Sequence, residues 1–330
     1  MSVSVLVIAF NRPDLLEKCL QQIPKDGRKI YIAIDGPRDS IEEVTVRKSH
    51  EVAQDFISKN SNVSIHTSFS HQNKGCKEGV RSAIDWVFTF EESAIILEDD
   101  ICATPRFFEF ADWGISKFAE NKDVWQLNGF TPLLDPYCVE GLYWSKYAHI
   151  WGWATWRDRW DKYDRNLDNF PQNSVQNLET FKNKNLSEVF VEEFNNMFER
   201  CKNGFDTWDA QWLYSMWLHN GIAATPGRRL TGNQGFDKRA AHTTKAGNMG
   251  RDFLPQPQSQ EIKFEFKNHS QSEILDLIHE IIEFGINPDG FNICFSKRFM
   301  IRLKQAFDLN RINSSKSPLK VFQKNKLSKC

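Results

Sequence analysis

Short, unbroken apolar runs alternate with amphipathic stretches through the first hundred residues. Val3 to Phe10 (VSVLVIAF) has the length and continuity of a strand buried on both faces. Asn11-Arg12-Pro13-Asp14 supplies a polar cap, an early proline and an acid in the first turn, which opens a helix to about Ile23. Lys29 to Ile34 predicts a second strand ending in Asp35-Gly36-Pro37, and Ile41 to Lys59 a long helix. Val63 to Thr67 predicts a third, shorter strand before His71-Gln72-Asn73-Lys74-Gly75, then a helix runs from about Lys77 to Phe90. The fourth run, from Ser93, stops abruptly in Glu98-Asp99-Asp100. This alternation predicts an α/β fold with a doubly wound, mostly parallel sheet and right-handed crossovers. Asn11, Asp35 and Glu98 to Asp100 then share the carboxyl rim, where open sheets bind ligands.

After Thr104-Pro105 the pattern changes. A helix to about Asn121 precedes a strand at Val124 to Gly129. An aromatic tract follows, with Tyr143-Trp144, Trp151-Gly152-Trp153-Ala154-Thr155-Trp156 and Trp160, in which the tryptophans serve equally well as core or as a sugar platform. Leu186 to Lys202 is helical in pattern, and Phe205-Asp206-Thr207-Trp208-Asp209-Ala210-Gln211-Trp212 continues as a helix to His219. Gly221 to Pro226 predicts a short strand leading to Gly232-Asn233-Gln234-Gly235. From there to Gly250 the chain has the composition of a loop that closes over a ligand. Ile262 to Phe266 alternates like an edge strand. From Ser296 onward ten Lys or Arg stand against the single acid Asp308, with Phe295, Phe299, Leu303 and Phe307 on one helical face. That segment is expected either to pack on the body with a basic tail or to touch an anionic membrane or lipid-linked acceptor.

A chain of 330 residues suits one large domain with an appended extension. Its net charge of −1 argues against a nucleic-acid binder. Seven scattered cysteines without a CxxC pair argue for a reducing compartment and against a structural zinc site. Met1-Ser2 leads straight into a strand-like run without a basic n-region, and no stretch approaches the ~20 apolar residues of a membrane span. The expectation is a cytoplasmic protein. No GxGxxG follows the first strand and no GxxxxGK[ST] occurs, which disfavours a dinucleotide fold and a P-loop NTPase.

Three adjacent carboxylates at the end of a buried strand repel one another unless a cation or a donor-rich ligand compensates them. Their hard oxygens suit Mg²⁺ or Mn²⁺, and those ions suit a diphosphate. The alternative is a solvated acidic loop feeding the helix that Thr104-Pro105 opens.

In order along the chain, Asn11-Arg12-Pro13, Ile34-Asp35-Gly36, Ile96-Leu97-Glu98-Asp99-Asp100, the glycine-tryptophan tract, Trp208-Asp209 and the glycine-rich loop resemble a GT-A nucleotide-sugar glycosyltransferase. Within that fold they are most similar to the inverting N-acetylglucosaminyltransferase family acting on mannose, over roughly residues 1–245. The resemblance implies a nucleotide-sugar-binding half at 1–127, an acceptor half at 128–254 and a C-terminal helical extension at 255–330. It implies Asp35 on the uracil, Arg12 near the nucleotide, Asp99 on the ribose and Glu98 beside the donor sugar. It gives Asp100 as the direct ligand of Mn²⁺ or Mg²⁺, with His242 as a candidate second. Asn73-Lys74-Gly75 and Arg81 are candidate nucleotide contacts. Asp209 matches the base that deprotonates the acceptor hydroxyl, with Asp206 its nearest rival and a helix-dipole role the plainer reading of Asp209. The implied activity is transfer of a sugar such as GlcNAc from a UDP-sugar to a glycan or lipid-linked saccharide, in the cytoplasm or at the inner membrane face. A sugar-nucleotide nucleotidyltransferase and a non-catalytic carbohydrate-binding protein are the alternatives.

Overall fold

The structure, a computed structural model, describes residues 2–133, 138–182, 186, 188–236, 262–266 and 275–280. Four strands, β1 (Ser4–Ala9), β2 (Ile30–Ile34), β3 (Ile65–Phe69) and β4 (Ser93–Glu98), pair in parallel in the order β3-β2-β1-β4. Each is joined to the next by a helix: α1 (Pro13–Gln21), α2 (Ser40–Lys59) and α3 (Gly75–Phe88). The apolar runs at β1, β2 and β4 are fully explained by burial on both faces. Val5, Val7, Ile30, Ile32, Ile95 and Leu97 point to one core with Leu16, Leu20 and Phe56, whereas Leu6, Ile8, Tyr31, Ala33, Ala94 and Ile96 point to another with Val80, Ile84 and Val87.

Beyond β4 the sheet continues as β8-β6-β9-β7, formed by β6 (Val124–Asn128), β7 (Leu142–Ser145), β8 (Trp153–Trp156) and β9 (Ile222–Pro226). β8 is antiparallel to both β4 and β6, and β7 to β9, whereas β6 and β9 are parallel. The eight-stranded sheet is thus doubly wound, with parallel pairs in the majority. The aromatic tract supplies two of its strands, β7 and β8. Trp153 is buried, stacked on Trp208 and tilted against Trp212, so it is core. The third strand lies two residues later than the pattern predicts. At 262–266 a single parallel bridge joins Phe266 to Leu142 in place of an extended edge strand. A separate two-stranded sheet, β5 (Ile101–Ala103) with β10 (Thr231–Asn233), sits directly after the acidic triplet and was not predicted.

Helices α4 (Pro105–Lys117) and α6 (Glu188–Lys202) pack on opposite faces, and the four-residue α5 (Arg157–Trp160) follows β8. α7 (Asp209–Leu218) is buried along most of its length and pinned to β6. Trp212 Nε1 donates to Gln126 Oε1 at 2.6 Å, and Gln126 Nε2 donates to Asn128 Oδ1 at 2.6 Å. Asn128 Nδ2 then donates to Thr225 Oγ1 at 2.8 Å, which closes a fully buried polar chain across three elements. Residues 275–280 are helical and dock through Asp276, which accepts from Ser145 Oγ at 2.5 Å and from the Lys146 amide at 3.1 Å. The basic segment from Ser296 and most of the glycine-rich loop, from residue 237 on, lie outside the described residues. Among the described residues no helix is long and apolar enough to cross a membrane, and Cys19, Cys76, Cys102 and Cys201 stand outside any disulfide.

Candidate active site

The strand order reverses between β1 and β4, so their carboxyl ends open a crevice at the switch point of the sheet. A cleft of about 580 Å³ occupies it, lined by Phe10 to Arg12, Asp35, Arg38, Glu42, Asn73 to Cys76, Gly79, Glu98, Asp99 and Asp206. The predicted rim is therefore real: Asn11, Asp35 and the acidic triplet meet.

Arg12, at the N-cap of α1, makes no capping bond and instead crosses to β4. Its Nη2 donates to Asp99 Oδ1, and its Nη1 to Asp100 Oδ2 at 3.0 Å. Asp99 is 2% exposed and also accepts from the Phe10 amide at 3.3 Å. One guanidinium faces the whole triplet, so the compensation is incomplete. Burial and the Asp100 charge push Glu98 up to about 8 against the pull of Arg12, with Asp99 and Asp209 adding to the push. Burial also raises Asp99 to about 6, opposed by Arg12 and reinforced by Asp100. Burial alone would lower the Arg12 pKa, but the surrounding carboxylates outweigh it and hold the guanidinium charged. The net negative charge and hard oxygen donors fit a divalent cation. Among the described residues no three His, Cys, Asp or Glu side chains are gathered as a complete ligand set.

Gly235 closes this corner. A Cβ there would lie 2.1 Å from Asp100 Oδ2 and 2.7 Å from Arg12 Nη1. The β5–β10 pair delivers the glycine, with the Gln234 amide donating to the Asp100 carbonyl at 2.9 Å and the Gly235 amide to Asn233 Oδ1 at 2.6 Å. A glycine in a loop signals close approach, although the sequence names no partner.

Asp35 lines the cleft with its oxygens already engaged. It accepts from the Lys74 amide at 3.0 and 3.1 Å, from Asn73 Nδ2 at 3.1 Å and from its neighbour Gly36 at 2.9 Å. Burial raises its pKa, with the Lys74 and Gly36 amides pulling the other way. Arg38 and Glu42 form an unpredicted wall beside Asn11, whose Nδ2 donates to Glu42 at 3.3 Å. Arg81 is not on the lining: its guanidinium pairs with Glu78 at 2.6 Å and with Asp85 on its own helix.

Asp209 is the first residue of α7 and accepts from Thr207 Oγ1. Its charge contributes to the raised pKa of Glu98, Cys76 and Tyr163, but it is not among the residues that line the cleft. Asp206 does something else, accepting two amides of α3. Trp151 is half-buried between Phe130 and Phe236, at ring distances of 4.6 and 5.6 Å. His242 lies outside the described residues.

The sequence matches no protein-family profile and no curated protein. Among solved structures the chain is similar to the mannosyltransferase PcManGT of Pyrobaculum calidifontis in complex with GDP-Man and Mn²⁺, at 14% identity over 48% of this chain and 46% of that one, TM-score 0.34. It is also similar to S. aureus TarS 1–349, at 9% identity over 94% of this chain and 78% of that one, TM-score 0.44. A third is GalNAc-T7 with UDP, GalNAc and Mn²⁺, at 10% identity over 68% of this chain and 43% of that one, TM-score 0.40. The matched region is less than half the length of the first and third of these chains.

Proposed function

We propose that this chain is an inverting, metal-dependent GT-A glycosyltransferase that moves a sugar from a UDP-sugar to a glycan or lipid-linked saccharide. The observation that carries the reading is the meeting of the Glu98-Asp99-Asp100 strand end with Arg12 at the sheet's switch point. A nucleotidyltransferase would place a glycine-rich basic loop after β1, where this chain has Asn11-Arg12-Pro13.

In this reading the cleft holds the nucleotide, with the uracil toward Asp35 and the Asn73-Lys74 corner and the ribose toward Asp99. Asp100 is the protein ligand of Mn²⁺ or Mg²⁺, the remaining ligands being diphosphate and water oxygens. Such a cation, when bound, neutralises the charge of the departing nucleoside diphosphate. Arg12 adds a fixed positive charge beside it. Asp209 takes the proton of the acceptor hydroxyl as that oxygen attacks the anomeric carbon from the face opposite the diphosphate. Thr207 orients the Asp209 carboxylate for this task. Glu98 lies beside the donor sugar.

The test is a thermal-shift panel of UDP, GDP, CMP and their sugars with and without Mn²⁺. A ligand selective for the folded state adds about 2.7 kcal/mol at a hundredfold excess over its Kd. A Mn²⁺-dependent shift with UDP compounds that disappears in Asp100→Ala is the expected result. A flat panel rejects the donor site.

A further inference from the structure

We propose that Asp206 is a positioning residue: it caps α3 from across the cleft and thereby fixes the base-bearing end of α7 against the donor site. The assignment rests on the glycosyltransferase reading above for its catalytic consequence, but its geometry is independent of that reading.

At the start of α3 the Lys74 side chain makes no capping bond, and the local side chain of Asn73 serves only the Gly75 amide, at 3.0 Å. The orphan amides of the first turn are served from far along the chain. Asp206 Oδ2 accepts from the Cys76 amide at 3.0 Å and Oδ1 from the Lys77 amide at 2.8 Å. A carboxylate is the best acceptor for that position, because charge-assisted bonds and the helix dipole act together. Gly75 makes the approach possible: its φ is +80°, and a Cβ there would lie 2.9 Å from Asp206 Oδ2.

Asp206 belongs to the turn between α6 and α7, folded by bonds from the Phe205 amide to the Arg200 carbonyl at 3.0 Å and from the Thr207 amide to the Phe205 carbonyl at 2.9 Å. The next residue, Thr207, holds Asp209. One turn therefore grips the wall of the nucleotide cleft with one side chain and orients the candidate base with its neighbour. Further along α7, Trp212 is fixed to Gln126. Without Asp206 the α6–α7 turn loses its tie to the start of α3, and Asp209 is then placed only from the α7 side, by Trp212 and by Trp208, which is buried against Trp153 and whose carbonyl accepts from Tyr163 Oη at 3.1 Å. Asp206 is solvent-exposed, so its loss leaves the core intact and the variant folded.

The experiment compares the wild-type chain with Asp206→Ala and Asp206→Asn by hydrogen exchange, by calorimetry with UDP and Mn²⁺, and by turnover of the UDP-sugar that the ligand panel identifies. In Asp206→Ala, exchange is expected to quicken at least tenfold at the Cys76 and Lys77 amides and in the first turn of α7. The kcat falls at least tenfold and by more than the UDP–Mn²⁺ affinity, and Asp206→Asn, which keeps one acceptor oxygen, recovers part of it. Quickened exchange confined to α3, a kcat within twofold of wild type, or a UDP affinity that falls in step with kcat overturns the proposal. Absence of UDP binding by the wild-type chain rejects the glycosyltransferase reading instead, and the exchange pattern alone then decides whether the latch exists.

Discussion

Arg12 reaches from the end of β1 to Asp100 beyond the end of β4, 3.0 Å away, and binds Asp99 on the way. The pairing spans the seam where the sheet reverses its winding, so a single guanidinium both joins the two central strands and sets the charge of the site.

Removing that guanidinium leaves Asp99 without its charged partner in a buried position. Arg12→Leu is expected to lower stability by about 3–5 kcal/mol at pH 8, the usual cost of breaking a buried pair from one side. The loss shrinks at pH 5, where Asp99, raised to about 6 by burial, takes up a proton. Urea denaturation at the two pH values measures both.

Glu98 gives the metal-free chain a distinct pH profile. Its carboxyl titrates near 8 in the folded state, raised chiefly by burial, while in the unfolded chain it titrates near the ordinary 4.5. Between those values the folded state holds a proton that the unfolded state has released, so stability falls as pH rises from about 5 to 8. Asp99, at about 6, adds to the fall over the lower part of that window. Glu98→Gln is expected to flatten the profile. Mn²⁺ with UDP should stabilise the chain more at pH 8 than at pH 5, as differential scanning calorimetry can record.

Gly235→Ala tests the close approach at the acidic corner. The new methyl group would lie 2.1 Å from Asp100 Oδ2, 2.7 Å from Arg12 Nη1 and 2.9 Å from Asp100 Cβ, so the Asp100 side chain must turn away and its Cβ must shift with the local chain. The expected outcome is a folded protein, within a few degrees of wild-type Tm, whose Mn²⁺-dependent response to UDP falls at least tenfold by calorimetry.

Asp209→Asn tests the base. General-base catalysis contributes about 10²–10⁴-fold, so kcat should fall by at least a hundredfold while UDP affinity is retained. A loss below tenfold would reassign the role of Asp209 to helix capping.

The framework furthest from the cleft gives a stability prediction. Arg159 is 2% exposed and donates to the carbonyls of Val124, Phe118, Ala119 and Asn121. Arg159→Met strands several of those carbonyls, at ~1–3 kcal/mol for each left without a partner. The thermal midpoint should drop without any change in UDP affinity.

The parallel half of the sheet was legible because β1, β2 and β4 are buried on both faces and so read as unbroken apolar runs. The rim followed from that alone. β7 and β8 were illegible because Trp, Tyr and Ser side chains fill a strand and a sugar platform equally well in sequence. β5 and β10 are three residues each, too short for any periodicity. Arg81 was placed near the nucleotide by resemblance, yet its own helix offers Glu78 and Asp85 at i−3 and i+4, and those partners hold it. The task of Asp206 left no trace in the sequence: Asn73 before Lys74-Gly75 reads as a sufficient local cap, and nothing there says that the Cys76 and Lys77 amides are served from about 130 residues away.

The order of strands also dictates the order of assembly. Residues 4–98 contain every parallel strand of the first half, and all three of their pairings, β1 with β2, β2 with β3 and β1 with β4, can form once β4 is made, while the ribosome is still at work. The strand that covers the flank of β4 is Trp153–Trp156, more than fifty residues later. Until it emerges, Ala94, Ile95 and Ile96 form a bare apolar edge, a template for foreign strands. The nascent chain is therefore most vulnerable to aggregation in that interval, and a fragment ending before Trp153 should be insoluble where one ending after β9 is not.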